Sequence, residues 1–221
     1  MKVQYKLFED QADLPLIRAG VDLRGQADLP VQDVQCLSSF NGAVDWKQVS
    51  SQAGVENSEV IFGVSDSGML TVSLLETSQQ GGLACHELEV ETITPVGCSS
   101  LPELIHTVMS PSFTPGFVGT DWEDVKLVLR SGRQARLVMA FGSADPNLLE
   151  VTRQAKAGQG RKVRGLLLVV FIRDVEFALS IYSQAARVLE SEFDCNGLAL
   201  IAGPAITDLP EPMLGLLAVY E

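Results

Sequence analysis

The sequence predicts an α/β protein with mixed β-sheets flanked by helices. Three observations carry that prediction. The run RGLLLVVFI (residues 164–172) is continuous in Leu, Val, Phe and Ile, which suits a central strand buried on both faces. The stretch from Val175 to Phe193 places Val175, Ala178, Leu179, Tyr182, Ala186 and Leu189 on one side of a long amphipathic helix. From Asp121 onward, apolar runs of strand length alternate with segments of helical period, in the order helix, strand, helix, strand, helix, strand, strand. Right-handed crossovers fold that order into a mixed sheet covered by helices.

The elements follow one by one. DWEDVKLVLRSG (121–132) opens at Asp121 as an N-cap candidate, carries Trp122, Val125, Val128 and Leu129 at helical spacing, and ends near Gly132. ARLVMAFGS (135–143) has the length of a strand. NLLEVTRQAKAG (147–158) returns to helical spacing, with Asn147 as a cap and Gly158 as a stop. Two strands, GLALIAGPAI and MLGLLAVYE, are joined by the proline-rich TDLPEP. Earlier in the chain, SLPELIHTVMS (100–110) reads as a helix. In HELEVETI (86–93), Glu87, Glu89 and Glu91 alternate with Leu88 and Val90, as on a half-exposed strand rather than in a metal site.

The first half also echoes the second. DWKQVSSQAG followed by SEVIFGVSDSGML parallels DWEDVKLVLRSG followed by ARLVMAFGSADPNLL. Asp45-Trp46 matches Asp121-Trp122, Phe62-Gly63 matches Phe141-Gly142, and Asp66 falls opposite Asp145. The strand at 86–93 and the helix after it could repeat RGLLLVVFI and its helix, while LPLIRAGVDL resembles LALIAGPAI. A degenerate tandem copy, its last strands moved to the front, would explain these matches; chance recurrence in an α/β chain is the alternative. The expected organisation is an acidic α/β unit over 1–110 and a second domain over 111–221.

Charge supports that division. The chain of 221 residues has a formal net charge of −12. Residues 1–110 hold 5 basic and 15 acidic residues (net −10), and 111–221 hold 11 and 13 (net −2). So negative a surface argues against nucleic acid or anionic membrane as the main partner. The opening MKVQYKLFED has no apolar run after its charges, which argues against a signal peptide, and no apolar stretch is long enough to insert in a membrane. Cys36, Cys85, Cys98 and Cys195 stand alone with no CxxC pair, the pattern of reduced, mostly buried thiols in a cytoplasmic protein. His86 beside Cys85 has no second ligand cluster, so no metal is expected. Ser99, Ser100 and His106 lie close together but without a G-x-S-x-G elbow, leaving His106 as a helix-surface or packing residue.

The loop PGFVGTDWEDVK carries the functional signal. It resembles the segment of the FtsZ/tubulin family that reaches the nucleotide of a neighbouring subunit. Pro115 and Gly116 match that family's turn, and Asp121 and Asp124 match its two acids. Gly119 stands where the family has asparagine, and Trp122 replaces a smaller aromatic. In such filaments, acids from one subunit help orient the water that attacks the nucleotide held by the next. From Leu101 to Glu221 the succession of elements resembles the FtsZ C-terminal domain. The glycine-rich phosphate cradle of that family's GTPase domain has no counterpart, since SQQGGLA (78–84) and GQGRK (158–162) each have two glycines and no partner segments.

The resemblance implies a binding or assembly protein rather than an autonomous GTPase, with no catalytic residue in cis and no cofactor. Its partner would be a protein, an FtsZ-type filament subunit, which it would regulate or cap through Pro115, Gly116, Gly119, Asp121, Trp122 and Asp124. Two other readings stay open: a self-assembling pseudo-dimer (a homo-oligomer) with an unrelated partner, and a small-molecule-binding α/β sandwich. For Asp121 and Asp124 the plain alternative is helix capping and attraction to the helix N-terminus.

Overall fold

A computed structural model describes residues 17–22, 44–48, 58–65, 67–77, 82–94, 100–113, 120–142, 145–157, 160–173, 175–194, 198–206 and 212–221. Among these, the strands are β1 (Ile17–Asp22), β2 (Val44–Gln48), β3 (Val60–Val64), β4 (Leu70–Thr77), β5 (Leu83–Ile93), β6 (Gln134–Phe141), β7 (Val163–Ile172), β8 (Ala199–Ile206) and β9 (Met213–Tyr220). The helices are α1 (Ser100–Phe113), α2 (Trp122–Leu129), α3 (Asp145–Lys156) and α4 (Val175–Glu192). The strands form one mixed sheet in the order β2-β1-β3-β4-β5-β6-β9-β7-β8. Tracing the pairings shows that only β4 and β9 run against the rest.

Each face of the sheet buries its own apolar set. Leu101, Leu104, Ile105, Val108 and Met109 recur at helical spacing and turn α1 onto one face, where Val125, Val128 and Leu129 of α2 join them. Leu148, Val151 and Ala155 of α3, with Ala185 and Leu189 of α4, cover the other face. β7 alternates between the two cores: Leu167, Val169 and Phe171 face α1 and α2, while Leu166, Leu168 and Val170 face α3 and α4. Its unbroken apolar sequence follows from burial on both sides. Each such Leu or Phe, fully withdrawn from water, contributes about 1.5–3 kcal/mol. α1 comes very close to β9 because Gly215 has no side chain. A Cβ there would lie 2.8 Å from Thr107 Oγ1 and 3.0 Å from Met139 Sδ.

The mixed sheet and the order of elements in the second half agree with the sequence reading. The expected division between 110 and 111 falls inside α1, and the sheet continues across it through the parallel β5–β6 pairing. Several finer expectations are corrected. Asp45 and Trp46 lie in β2, held by parallel pairing with β1, whereas Asp121 and Trp122 open a helix, so the matched dipeptides occupy different kinds of element. Phe62 is fully buried in β3 while Phe141 is 45% exposed at the end of β6. β1 lies beside β3, but β8 lies beside β7, so sheet order does not reproduce the proposed permuted copy. Asp66, Gly158, Cys36, Cys98 and Cys195 are outside the described residues, and Cys85 is an exposed free thiol rather than a buried one. Asn147 is not a cap, because α3 begins at Asp145; its Nδ2 instead donates to the Phe141 carbonyl at 2.9 Å.

Candidate functional site

Asp121, Trp122 and Asp124 stand together at the start of α2, and Pro115, Gly116 and Gly119 lie outside the described residues. Asp121 has extended backbone (φ −72°, ψ 143°), and its Oδ1 accepts from the Glu123 N–H at 3.2 Å. Its carbonyl accepts from the N–H groups of Asp124 at 3.1 Å and Val125 at 3.3 Å. The residue is therefore a working N-cap. Asp121 and Asp124 are both exposed, and Glu123 pairs with Lys126 one turn on. Trp122 points the other way. It is buried in the core with its ring 5.7 Å from that of Phe113, the two planes tilted by 53°. Trp122 Nε1 has no hydrogen-bond partner among the described residues, a cost carried inside an otherwise apolar cluster.

The rest of α2 is fixed by close approach to the sheet. A Cβ on Gly165 of β7 would lie 2.3 Å from Ser131 Oγ and 2.9 Å from the Val128 carbonyl. At the other end, Thr120 Oγ1 is 3.9 Å from where a Cβ of Gly203 in β8 would stand. α2 therefore lies against β7 and β8 with its acidic start toward the edge strand. His86 of β5 closes the opposite end: its Nε2 lies 3.2 Å from the Leu129 carbonyl and 2.9 Å from that of Gly132. Carbonyls only accept, so Nε2 carries the proton and caps the helix C-terminus. That role occupies the nitrogen with backbone acceptors.

A second polar feature escaped sequence reasoning. At the amino end of β6, a cavity of about 310 Å³ is lined by Glu89, Glu91, Gln134, Arg136, Arg161 and Tyr220, among others. Arg136 is buried, donating from Nε (2.9 Å) and Nη2 (2.6 Å) to Glu91 Oε2 and from Nη1 to the Gln154 carbonyl at 3.0 Å. Tyr220 donates its hydroxyl to the Ala155 carbonyl. Two side chains thus satisfy the last turn of α3. Burial pushes the Tyr220 phenol up, with Arg136 opposing and Glu91 adding to the shift. The sequence signal was a lone arginine inside an apolar strand, which needs a partner. His106 in α1 is shifted down by burial, so the neutral ring is favoured at neutral pH.

No protein-family model matches this sequence, and no curated protein matches it. Solved structures do. The chain is similar to part of FtsZ. Against an empty FtsZ dimer from M. jannaschii the TM-score is 0.46 at 12% identity, covering 94% of this chain and 55% of that one. Against a single-residue mutant of the same FtsZ the values are 0.44 and 15%, covering 94% and 56%. The chain thus spans about half the length of the FtsZ chains it matches. Among the described residues, no helix is long and apolar enough to cross a membrane.

Proposed function

We propose that this chain is a non-GTPase binding protein that docks the start of α2, with the loop before it, on the nucleotide face of an FtsZ-type subunit. The observation that carries the reading is the exposure of both Asp121 and Asp124 beside a buried Trp122, which anchors the helix start and holds the acids outward. The sequence resemblance of the loop from Pro115 to Asp124 supplies the partner. A molecule with this loop and no phosphate-cradling glycine run would engage one end of a filament and cap or regulate it rather than extend it. The purified protein, mixed with FtsZ and GTP, is expected to change polymer mass or GTPase rate, and Asp124→Ala to weaken the effect. No change with the wild-type protein, or an Asp124→Ala variant with undiminished effect, would refute the proposal.

A further inference from the structure

The outer face of α2 carries a pattern that docking on a filament does not require. Asp124, Leu127 and Arg130 follow at three-residue intervals, so an apolar side chain sits midway between an acid and a base along one stripe. Leu127 is 61% exposed, more than any other large apolar side chain among the described residues. It opens onto a groove of about 440 Å³ beside the start of β8, shared with Arg130, Arg164, Leu198 and Ala199. Asp124 is exposed and makes no ion pair among the described residues. Arg130 pairs through Nη2 with Glu76, which leaves its other N–H donors for a second carboxylate.

We infer that this stripe is the contact of a symmetric dimer, in which α2 packs antiparallel on α2 of a second copy of the chain. A two-fold interface brings residue i against j and j against i, so its surface must be complementary to itself when reversed. The order acid, leucine, base meets that condition. Leu127 meets Leu127 on the axis, and Asp124 of each chain meets Arg130 of the other. One short helix and two rim ion pairs make a small interface, with a dissociation constant of roughly 10–100 µM. The inference does not depend on FtsZ; if both hold, the dimer covers Asp124 and competes with docking.

Sedimentation of the full chain alone, from about 1 to about 300 µM, tests it. The wild-type protein is expected to dimerise across this range. Leu127→Asp, Asp124→Arg and Arg130→Asp are each expected to raise the dissociation constant at least about tenfold. An equimolar mixture of Asp124→Arg with Arg130→Asp is expected to regain the dimer, because both cross contacts become attractive only in the heterodimer. A wild-type protein monomeric throughout, an unweakened Leu127→Asp dimer, or a mixture of the two folded charge variants that stays monomeric would each overturn the inference. Leu127 is exposed in the single chain, so its replacement decides the matter even if losing the Glu76 pair disturbs the Arg130 variant.

Discussion

Replacing Gly132 by alanine tests how tightly the end of α2 is locked to the sheet. A Cβ at Gly132 would lie 1.8 Å from the Tyr220 carbonyl oxygen and 2.7 Å from its carbon. Ordinary C···O contacts begin near 3.3 Å, so backbone must move by about 1.5 Å. No rotamer change can relieve the clash, since the obstacle is main chain. Tyr220 is fully engaged: it pairs with Gln134 and Val163, and its hydroxyl holds the end of α3. Overpacking alone costs about 1–3 kcal/mol, and loosening this end of β9 adds to it, so a loss of about 3 kcal/mol is expected. For a chain of this size that lowers the Tm by about 6–12 °C, readable by calorimetry or thermal fluorescence. Gly68→Ala is the control. Gly68 has φ +81° and nothing within 4 Å of its would-be Cβ, so only backbone strain of about 1 kcal/mol applies. A Gly132→Ala variant within about 2 °C of wild type, or a larger loss for Gly68→Ala, would refute the reasoning.

Two further outcomes concern the Arg136 cluster. Glu91→Ala strands the buried guanidinium and is expected to cost about 2–3 kcal/mol; Arg136→Met leaves a half-exposed carboxylate that water can reach and is expected to cost less, an order that urea titration of both variants checks. The raised phenol of Tyr220 favours the protonated form in the fold, so its contribution is complete below the ordinary tyrosine value of about 10 and declines as pH rises from there through the folded value. Tyr220→Phe is expected to be less stable than wild type at pH 7 by about 1 kcal/mol and to lose less than wild type between pH 9 and 11, as followed by denaturation midpoints.

Much of the second half was legible because its signals are local. The aliphatic run of β7 and the long face of α4 mark their own element type, and the alternation of Glu87, Glu89 and Glu91 with Leu88 and Val90 gave the exposed side of β5. β2 was not legible. Five residues hold too little periodicity to separate strand from helix, and its pairing with β1 joins segments far apart in sequence. The place of β9 between β6 and β7 is likewise a nonlocal fact that no window of sequence contains. The start of α3 did carry a signal, Asp145-Pro146, where proline at the first turn marks a helix opening better than Asn147 does. In the site, Trp122 was expected to face a partner but is buried with Val125, Val128 and Leu129, whose helical spacing it shares, and the role of His86 required knowing which helix ends beside β5.

The two acids of the loop, equivalent on paper, are different in the fold. Asp121 already spends one carboxylate oxygen on the Glu123 N–H, so drawing it toward a partner would uncap α2 and cost about 1 kcal/mol. Asp124 makes no such bond in the described residues and sits over the helix N-terminus, where its negative charge is at ease. It can offer both oxygens without loss to the fold. Trp122, seated against Phe113, anchors the helix start that carries both. A function expressed through this helix, whether toward a filament subunit or toward a second copy, therefore falls on Asp124, with Asp121 holding the helix that presents it. Removing Asp121 would confound folding with binding, whereas removing Asp124 leaves the cap in place and reports on binding.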